Sequence, residues 1–228
     1  THPQIFREVW GHAAGDAQSY LRVHIANLRR KIEEDSLTVL ASRLSYVGEL
    51  GWELYVPVEL AVGVHDDLMR AGADLGVRAA GYYAIESLRL EKGYRAFGRE
   101  LTPDVGPVEA GLLFATKVKG GKDFLGRRAL EAHRAVLAAG GPRRRLVSLV
   151  VGDPRPTLWG GELVLLDGRP VGQVTSAAWG ETVGSSVGLA YVRHDGPVTS
   201  KWLSSSGFEV DVAGERFPAS LTLRAPLA

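Results

Sequence analysis

The feature that most constrains the fold of this chain is a change of hydrophobic pattern at Pro142. After this residue the sequence consists of short apolar runs that follow one another at close spacing. The dipeptide Asp167-Gly168 separates two of these runs and is a strong signal for a tight β-hairpin. Several short strands of this kind predict a small antiparallel β-barrel or jelly roll. The predicted strands cover residues 146–151, 162–166, 171–177, 186–192 and 208–212.

The region from residue 37 to residue 141 mixes the sequence periods of helices and strands. Alternating side chains at residues 44–46 and 52–56 predict two short strands. Amphipathic patterns predict helices over residues 58–75, 82–92 and 126–139. We therefore expect an α+β fold, in which a mixed domain at residues 37–141 precedes a barrel domain at residues 142–228.

The sequence pattern of residues 1–36 predicts a helical segment ahead of both domains. Apolar side chains recur with the spacing of one helix face at Leu21, Ile25, Leu28 and Ile32. The same segment carries a basic face formed by Arg22, Arg29, Arg30 and Lys31. Such a face suits phosphate groups, although a run of charge is more often a solvated helix face.

Composition excludes several classes of function. The 27 basic and 26 acidic residues give a net charge of +1, which argues against a nucleic-acid-binding surface over the whole chain. There is no Cys, so disulfides, thiolate metal sites and cysteine nucleophiles are excluded. The histidines are scattered, and we expect no metal site. No apolar run is long enough to span a bilayer and nothing resembles a signal peptide, so we expect a cytoplasmic protein.

The strand at residues 52–56 carries the most informative polar side chains. Trp52, Leu54 and Val56 alternate with Glu53 and Tyr55, so the two sets lie on opposite faces of the strand. A carboxylate beside a tyrosine can pair with a ligand that offers two adjacent N–H donors. The alternative is that Glu53 is a solvated surface residue, and alternation alone favours that alternative.

Two ordered motifs resemble the signatures of the glycine-cleavage aminomethyltransferase family. The first is Tyr46-Val-Gly-Glu-Leu-Gly-Trp-Glu-Leu-Tyr-Val-Pro57, and the second is Gly81-Tyr-Tyr-Ala-Ile-Glu-Ser-Leu-Arg-Leu-Glu-Lys-Gly-Tyr94. The same family is resembled by a third segment, Pro107-Val-Glu-Ala-Gly-Leu112. Two segments of the predicted barrel, which begin at Asp167 and at Val187, also resemble it. The residues of these motifs resemble the form of the domain that is appended to sarcosine and dimethylglycine dehydrogenases. The resemblance implies the C-terminal half of a folate-binding domain followed by a small antiparallel β-barrel.

This resemblance implies roles for individual residues. Glu53 matches the glutamate that holds the pterin ring of tetrahydrofolate, and Tyr46 and Tyr55 fall where relatives line the folate pocket. Glu49 lies in the intervening turn. Arg89 belongs to the second motif and is either a folate-site residue or a structural ion pair with Glu86 or Glu91. Ile85 stands where the glycine-cleavage enzyme has a folate-contacting arginine.

The implied reaction is transfer of a one-carbon unit from a small methylated amine, or its iminium, to tetrahydrofolate. In the family, a carboxylate that orients the reacting folate nitrogen lies upstream of the first motif, so we expect an incomplete site here and assign no catalytic residue. The sequence has no dinucleotide-binding Gly motif at a strand–helix junction. We therefore expect FAD only on another part of a longer protein, within a dehydrogenase domain or partner subunit.

Two alternatives remain open. Residues 1–36 resemble the recognition-helix region of winged-helix response regulators, which implies DNA binding through the basic residues Arg22, Arg29, Arg30 and Lys31. The other alternative is a non-catalytic remnant that serves as a scaffold.

Overall fold

A computed structural model describes residues 39–118, 123–204 and 207–227 of this chain. The chain divides into two compact units, Thr1–Gly81 and Tyr82–Ala228. This division groups the helix that follows residue 81 with the barrel, because that helix packs on two of the barrel strands. The boundary expected from sequence lay at residue 141, and as a domain boundary it stays a prediction.

The described part of the first unit begins with a two-stranded antiparallel ribbon. Strand β1, Leu40–Ser42, pairs with strand β2, Glu53–Tyr55, and Leu40 lies opposite Tyr55. The strand predicted at residues 44–46 is wrong. The chain turns directly after β1, where the Leu44 N–H donates to the Ser42 carbonyl at 2.9 Å. Residues 43–52 therefore form the connection between the strands.

The helix predicted over residues 58–75 is divided into three parts. The 3₁₀ turns Val58–Leu60 and Ala73–Leu75 flank the α-helix α1, Ala61–Ala71. Gly72 lies between α1 and the second 3₁₀ turn, where Val77 comes close to it. A Cβ at that position would lie 2.3 Å from a methyl group of Val77.

The second unit contains a closed six-stranded antiparallel barrel, which confirms the barrel prediction. The strands are β3 Arg144–Val151, β4 Leu163–Leu166, β5 Arg169–Gly180, β6 Ser185–Arg193, β7 Phe208–Val212 and β8 Glu215–Thr222. Their order in the barrel is β3-β6-β5-β4-β7-β8, and pairing of β3 with β8 closes it. The sequence analysis missed the last strand and the short helix α4, Ser200–Leu203.

Alternation along these strands fills the barrel with apolar side chains. Inward residues from every strand meet there, including Val147, Val164, Val174, Val210 and Leu221. The hairpin at Asp167-Gly168 is confirmed, since Leu166 pairs with Arg169 and both turn residues have positive φ, 50° and 75°. Positive φ at both central positions is the geometry of the type I′ turn that Asp-Gly favours.

Helix α2, Tyr82–Glu91, packs on strands β5 and β6. Leu90 is fully buried with Leu146, Val187 and Leu189. The helix ends where expected, because Gly93 adopts φ of 64° and its N–H donates to the Leu90 carbonyl at 2.9 Å.

Helix α3, Arg127–Ala138, also belongs to the second unit. None of the helices in the described ranges has the length and apolar character needed to cross a bilayer.

Candidate functional site

Glu53 and Tyr55 lie side by side on the exposed face of β2. The Tyr55 hydroxyl donates a 2.8 Å hydrogen bond to Glu53 Oε2, while Leu54 points to the more buried face. This hydrogen bond, together with the negative charge of Glu53, raises the pKa of Tyr55. Tyr55 therefore stays neutral and remains a donor. Among the described residues, no group donates a hydrogen bond to the second oxygen, Glu53 Oε1. Tyr55 therefore holds Oε2, while Oε1 can accept a hydrogen bond from a ligand.

The connection at residues 43–52, which we call the signature loop, carries Tyr46 and Glu49. Gly51 allows this loop to fold back on itself, since a Cβ there would lie 2.8 Å from the Leu44 carbonyl oxygen. Tyr46 is exposed and Glu49 is half-buried, and each makes further interactions within the protein. The glycines of the first motif thus shape the loop that leads into Glu53.

A polar atom without a partner lies next to Glu53 in the chain. The indole Nε1 of Trp52 is buried and has no hydrogen-bond partner in the part of the chain that the structure describes. An unsatisfied buried donor costs about 1–3 kcal/mol.

Arg89 is fully buried within the second unit and is held by two carboxylates. Its Nη2 lies 2.5 Å from Glu86 Oε1, and its Nη1 lies 3.1 Å from Glu100 Oε2. Nη1 also donates to the Tyr94 carbonyl at 2.8 Å. The expected ion pair with Glu86 is present. Glu91 instead accepts the N–H groups of Thr182 and Val183. A contact between Arg89 and folate stays a prediction.

Sequence reasoning missed Glu100, which is the centre of this buried network. Its Oε1 accepts from the hydroxyls of Thr175, at 2.6 Å, and Ser176, both on β5. Its Oε2 accepts the Ala96 N–H at 2.8 Å and the Arg89 guanidinium. Glu100 therefore joins α2 to the barrel. No local pattern marks it, because its partners are distant in sequence.

A second carboxylate–guanidinium pair joins the barrel to the segment before it. Arg144 Nε and Nη2 donate to the two oxygens of Glu109 at 2.8 and 2.9 Å, and Gly106 N–H donates to Oε2. Partial burial opposes ionisation of Glu109, but these bonds outweigh it and lower the pKa of the Glu109 carboxyl. The same pair raises the pKa of Arg144.

The other residues singled out from sequence are either described by the structure without a metal cluster or lie outside the described residues. Among the described ranges, no cluster of three or more His, Cys, Asp or Glu side chains could hold a metal ion. Ile85 lies on α2 and is about one-third exposed. The residues predicted to bind DNA, Arg22, Arg29, Arg30 and Lys31, lie outside the described residues.

Comparison with known proteins decides the family. Residues 23–120 match the family model of the GCVT N-terminal domain, and residues 144–227 match that of the glycine cleavage T-protein C-terminal barrel domain. The chain belongs to the aminomethyltransferase family. Glu53 and Arg89 both lie in the segment that matches the N-terminal domain. The six-stranded barrel lies in the segment that matches the C-terminal barrel domain.

Relatives of this aminomethyltransferase-family chain include both dehydrogenases and simple transferases. Mitochondrial sarcosine dehydrogenase of Mus musculus is 42% identical over 190 residues, which cover 82% of this chain and 20% of that protein. The aminomethyltransferase of Halothermothrix orenii is 39% identical over 160 residues, 69% of this chain and 42% of that protein.

A solved structure agrees with the fold. The glycine cleavage system aminomethyltransferase T from Bartonella henselae has a TM-score of 0.67 and 28% identity, over 82% of this chain and 49% of that one. The chain thus spans about a fifth of the dehydrogenase relative and less than half of the transferase relatives.

The family match begins inside the segment that resembles a winged helix. It includes Arg29, Arg30 and Lys31, while Arg22 precedes it. Neither family model that matches is a DNA-binding domain, so the winged-helix interpretation stays a prediction without support.

Proposed function

We propose that this chain is the tetrahydrofolate-binding module of a one-carbon-transfer enzyme. The observation that carries the proposal is the exposed Glu53 carboxylate, with Oε2 bonded to the Tyr55 hydroxyl at 2.8 Å. Its place in a family motif supports the proposal, and so does the 42% identity to a sarcosine dehydrogenase.

The chemistry of these side chains fits the pyrimidine edge of a pterin. That edge offers adjacent N–H donors. The open Oε1 of Glu53 can accept one of them, and Oε2 has a second lone pair that can accept the other beside the Tyr55 hydroxyl. Tyr55 restricts the rotation of the Glu53 side chain, so less rotational freedom is lost when the ligand binds. We assign Tyr46 and Glu49 of the signature loop to the wall of the same pocket. Arg89, in the family's second motif, is proposed as a further folate-site residue.

The reaction that this module would serve needs positioning more than bond activation by the protein. Tetrahydrofolate supplies a nucleophilic nitrogen, and the iminium of a methylated amine supplies an electrophilic carbon. A site that holds the two in contact lowers the barrier chiefly through orientation. Glu53 would fix the pterin ring, and no described residue is assigned to proton transfer.

The names of the relatives support a proposal for the amine and for the partner. Proteins named for sarcosine, dimethylglycine and 4-methylaminobutanoate share 36–42% identity with this chain, and each oxidises a methylated amine by name. We therefore propose a small methylated amine as the donor. A flavin-bearing dehydrogenase domain or subunit would supply the iminium. Cytoplasmic location stays a prediction, since several relatives are named mitochondrial.

The test is a fluorescence or calorimetric titration of the purified chain with tetrahydrofolate. Glu53→Gln keeps the shape of the side chain but removes the charge, and we expect the affinity to fall roughly tenfold or more. Glu59→Gln, an exposed acid in the same unit, should leave the affinity unchanged. Absence of saturable binding in a folded chain would contradict the proposal and favour the scaffold alternative, as would equal affinity in Glu53→Gln.

A further inference from the structure

A cleft of about 750 Å³ opens in the second unit, and all of its lining residues belong to that unit. Helix α3 contributes His133 and Val136, and the ends of β3 and β6 contribute Arg144 and Arg193. Its volume lies within the range of about 300–1,000 Å³ that small-molecule sites occupy. No role in folate binding or in the buried network of Arg89 accounts for this cleft.

The lining of the cleft combines two kinds of side chain. Apolar residues are contributed by Val108, Val136, Ala139, Pro142 and Pro197. Two exposed cationic residues, Arg143 and Arg193, also line it. Arg193 pairs with Arg144 at the end of the β3–β6 ladder, and Arg143 directly precedes Arg144 in the chain. A concave site with an apolar wall and a few convergent polar groups is the usual form of a small-ligand site.

The charges of the cleft are only partly balanced within the protein. Arg144 is neutralised by Glu109, which accepts from it at 2.8 and 2.9 Å. Arg143 and Arg193 make no side-chain hydrogen bond or ion pair with any other residue in the described ranges. Asp104 also lines the cleft, and its backbone carbonyl accepts a hydrogen bond from Arg144. The guanidinium groups of Arg143 and Arg193 therefore remain available, with Asp104 as an acidic residue nearby.

We propose that this cleft binds a small organic anion that carries carboxylates on an apolar body. The planar guanidinium groups of Arg143 and Arg193 match carboxylates in bidentate geometry. The apolar body of the ligand would lie against Val136 and Pro197, where burial of its surface adds affinity. Asp104 repels an anion and so limits the charge that the cleft accepts.

The test uses the dicarboxylate adipate as the probe, in a calorimetric or NMR titration of the full chain, with inorganic phosphate as a probe of charge alone. We expect saturable adipate binding and weaker phosphate binding. Replacing both Arg143→Gln and Arg193→Gln should raise the Kd for adipate roughly tenfold or more. Asp104→Asn should lower that Kd roughly two- to fivefold, because it removes a like charge.

Matched variants separate this site from nonspecific binding and from the proposed folate site. Arg216→Gln removes an exposed arginine that does not line the cleft, and Glu53→Gln changes the folate carboxylate. Both should leave adipate binding unchanged. Absence of saturation would overturn the proposal, as would equal affinities for adipate and phosphate. A Kd that the double substitution does not alter, in a variant with wild-type thermal unfolding, would overturn it too.

Discussion

At the scale of single residues, the carboxylates of Glu53, Glu86 and Glu100 each accept a hydrogen bond from a neighbouring side chain. Alternation placed Glu53 and Tyr55 together, and the structure shows a 2.8 Å hydrogen bond between them. The Arg89–Glu86 pair followed from helical spacing. Glu100 could not be found in this way, because its bonds to Thr175 and Ser176 depend on how helix and barrel pack.

Tyr55→Phe should weaken tetrahydrofolate binding less than Glu53→Gln does. The phenylalanine keeps the ring but frees Glu53 Oε2, so the carboxylate loses its fixed orientation. A single hydrogen bond of this kind corresponds to a change in affinity of roughly two- to tenfold. Tyr82→Phe is the control, because Tyr82 is exposed and belongs to the second unit. An unchanged Kd in Tyr55→Phe would show that Tyr55 does not position Glu53.

Glu109→Gln should lower stability at neutral pH by about 1–2 kcal/mol, since the paired carboxylate accepts charge-assisted bonds from Arg144. The folded-state pKa of Glu109 lies below its ordinary value. Its contribution is therefore fully present above the unfolded-state pKa and is lost as the pH falls through the folded-state pKa. Urea unfolding at a series of pH values measures this difference. A difference between wild type and variant that persists at the acid end would contradict the assignment.

At the scale of elements, local signals located turns and helix ends better than strand pairs. Asp167-Gly168 and Gly93 were predicted correctly, because positive φ at a turn or helix end has a strong residue preference. The strand predicted at residues 44–46 was wrong, since a three-residue strand is set by its partner and leaves little pattern in the sequence. Strand β8 was missed although Phe217, Ala219 and Leu221 alternate on its buried face, because a proline in the middle of the run, Pro218, argues against a strand.

Two glycine substitutions should change stability in opposite directions. Gly168→Ala places a Cβ at φ of 75° in the hairpin and should destabilise the barrel by about 1 kcal/mol. Gly63→Ala lies in α1, where a Cβ meets nothing within 4 Å, and should stabilise that helix by about 0.5–1 kcal/mol. Thermal and urea unfolding, with tryptophan fluorescence and circular dichroism as probes, measure both. Equal signs would contradict the backbone argument.

Glu100→Ala should destabilise the second unit by about 3–5 kcal/mol. It removes the acceptor for Arg89, Thr175 and Ser176 and leaves a buried guanidinium short of one partner. Glu215→Ala, an exposed acid at the start of β8, should change stability by less than about 0.5 kcal/mol. Chemical denaturation compares the two variants. Similar losses in both would show that the network does not join helix and barrel.

At the scale of the whole molecule, sequence motifs predicted the family and the barrel, which the comparisons and the structure confirm. They left open how the chain divides into compact units, because that depends on contacts such as those between α2 and β5. The folate proposal places ligand recognition in the first unit. The organic-anion proposal places a separate cleft in the second.

Hydrogen–deuterium exchange of the full chain, with and without tetrahydrofolate, tests the central claim most directly. We predict that the ligand slows amide exchange in residues 43–56, the signature loop and β2, and that Glu53→Gln abolishes this protection. Barrel strands such as β7, Phe208–Val212, should exchange at the same rate with and without the ligand. Exchange in residues 43–56 that is unaffected by tetrahydrofolate at saturating concentration would contradict the account.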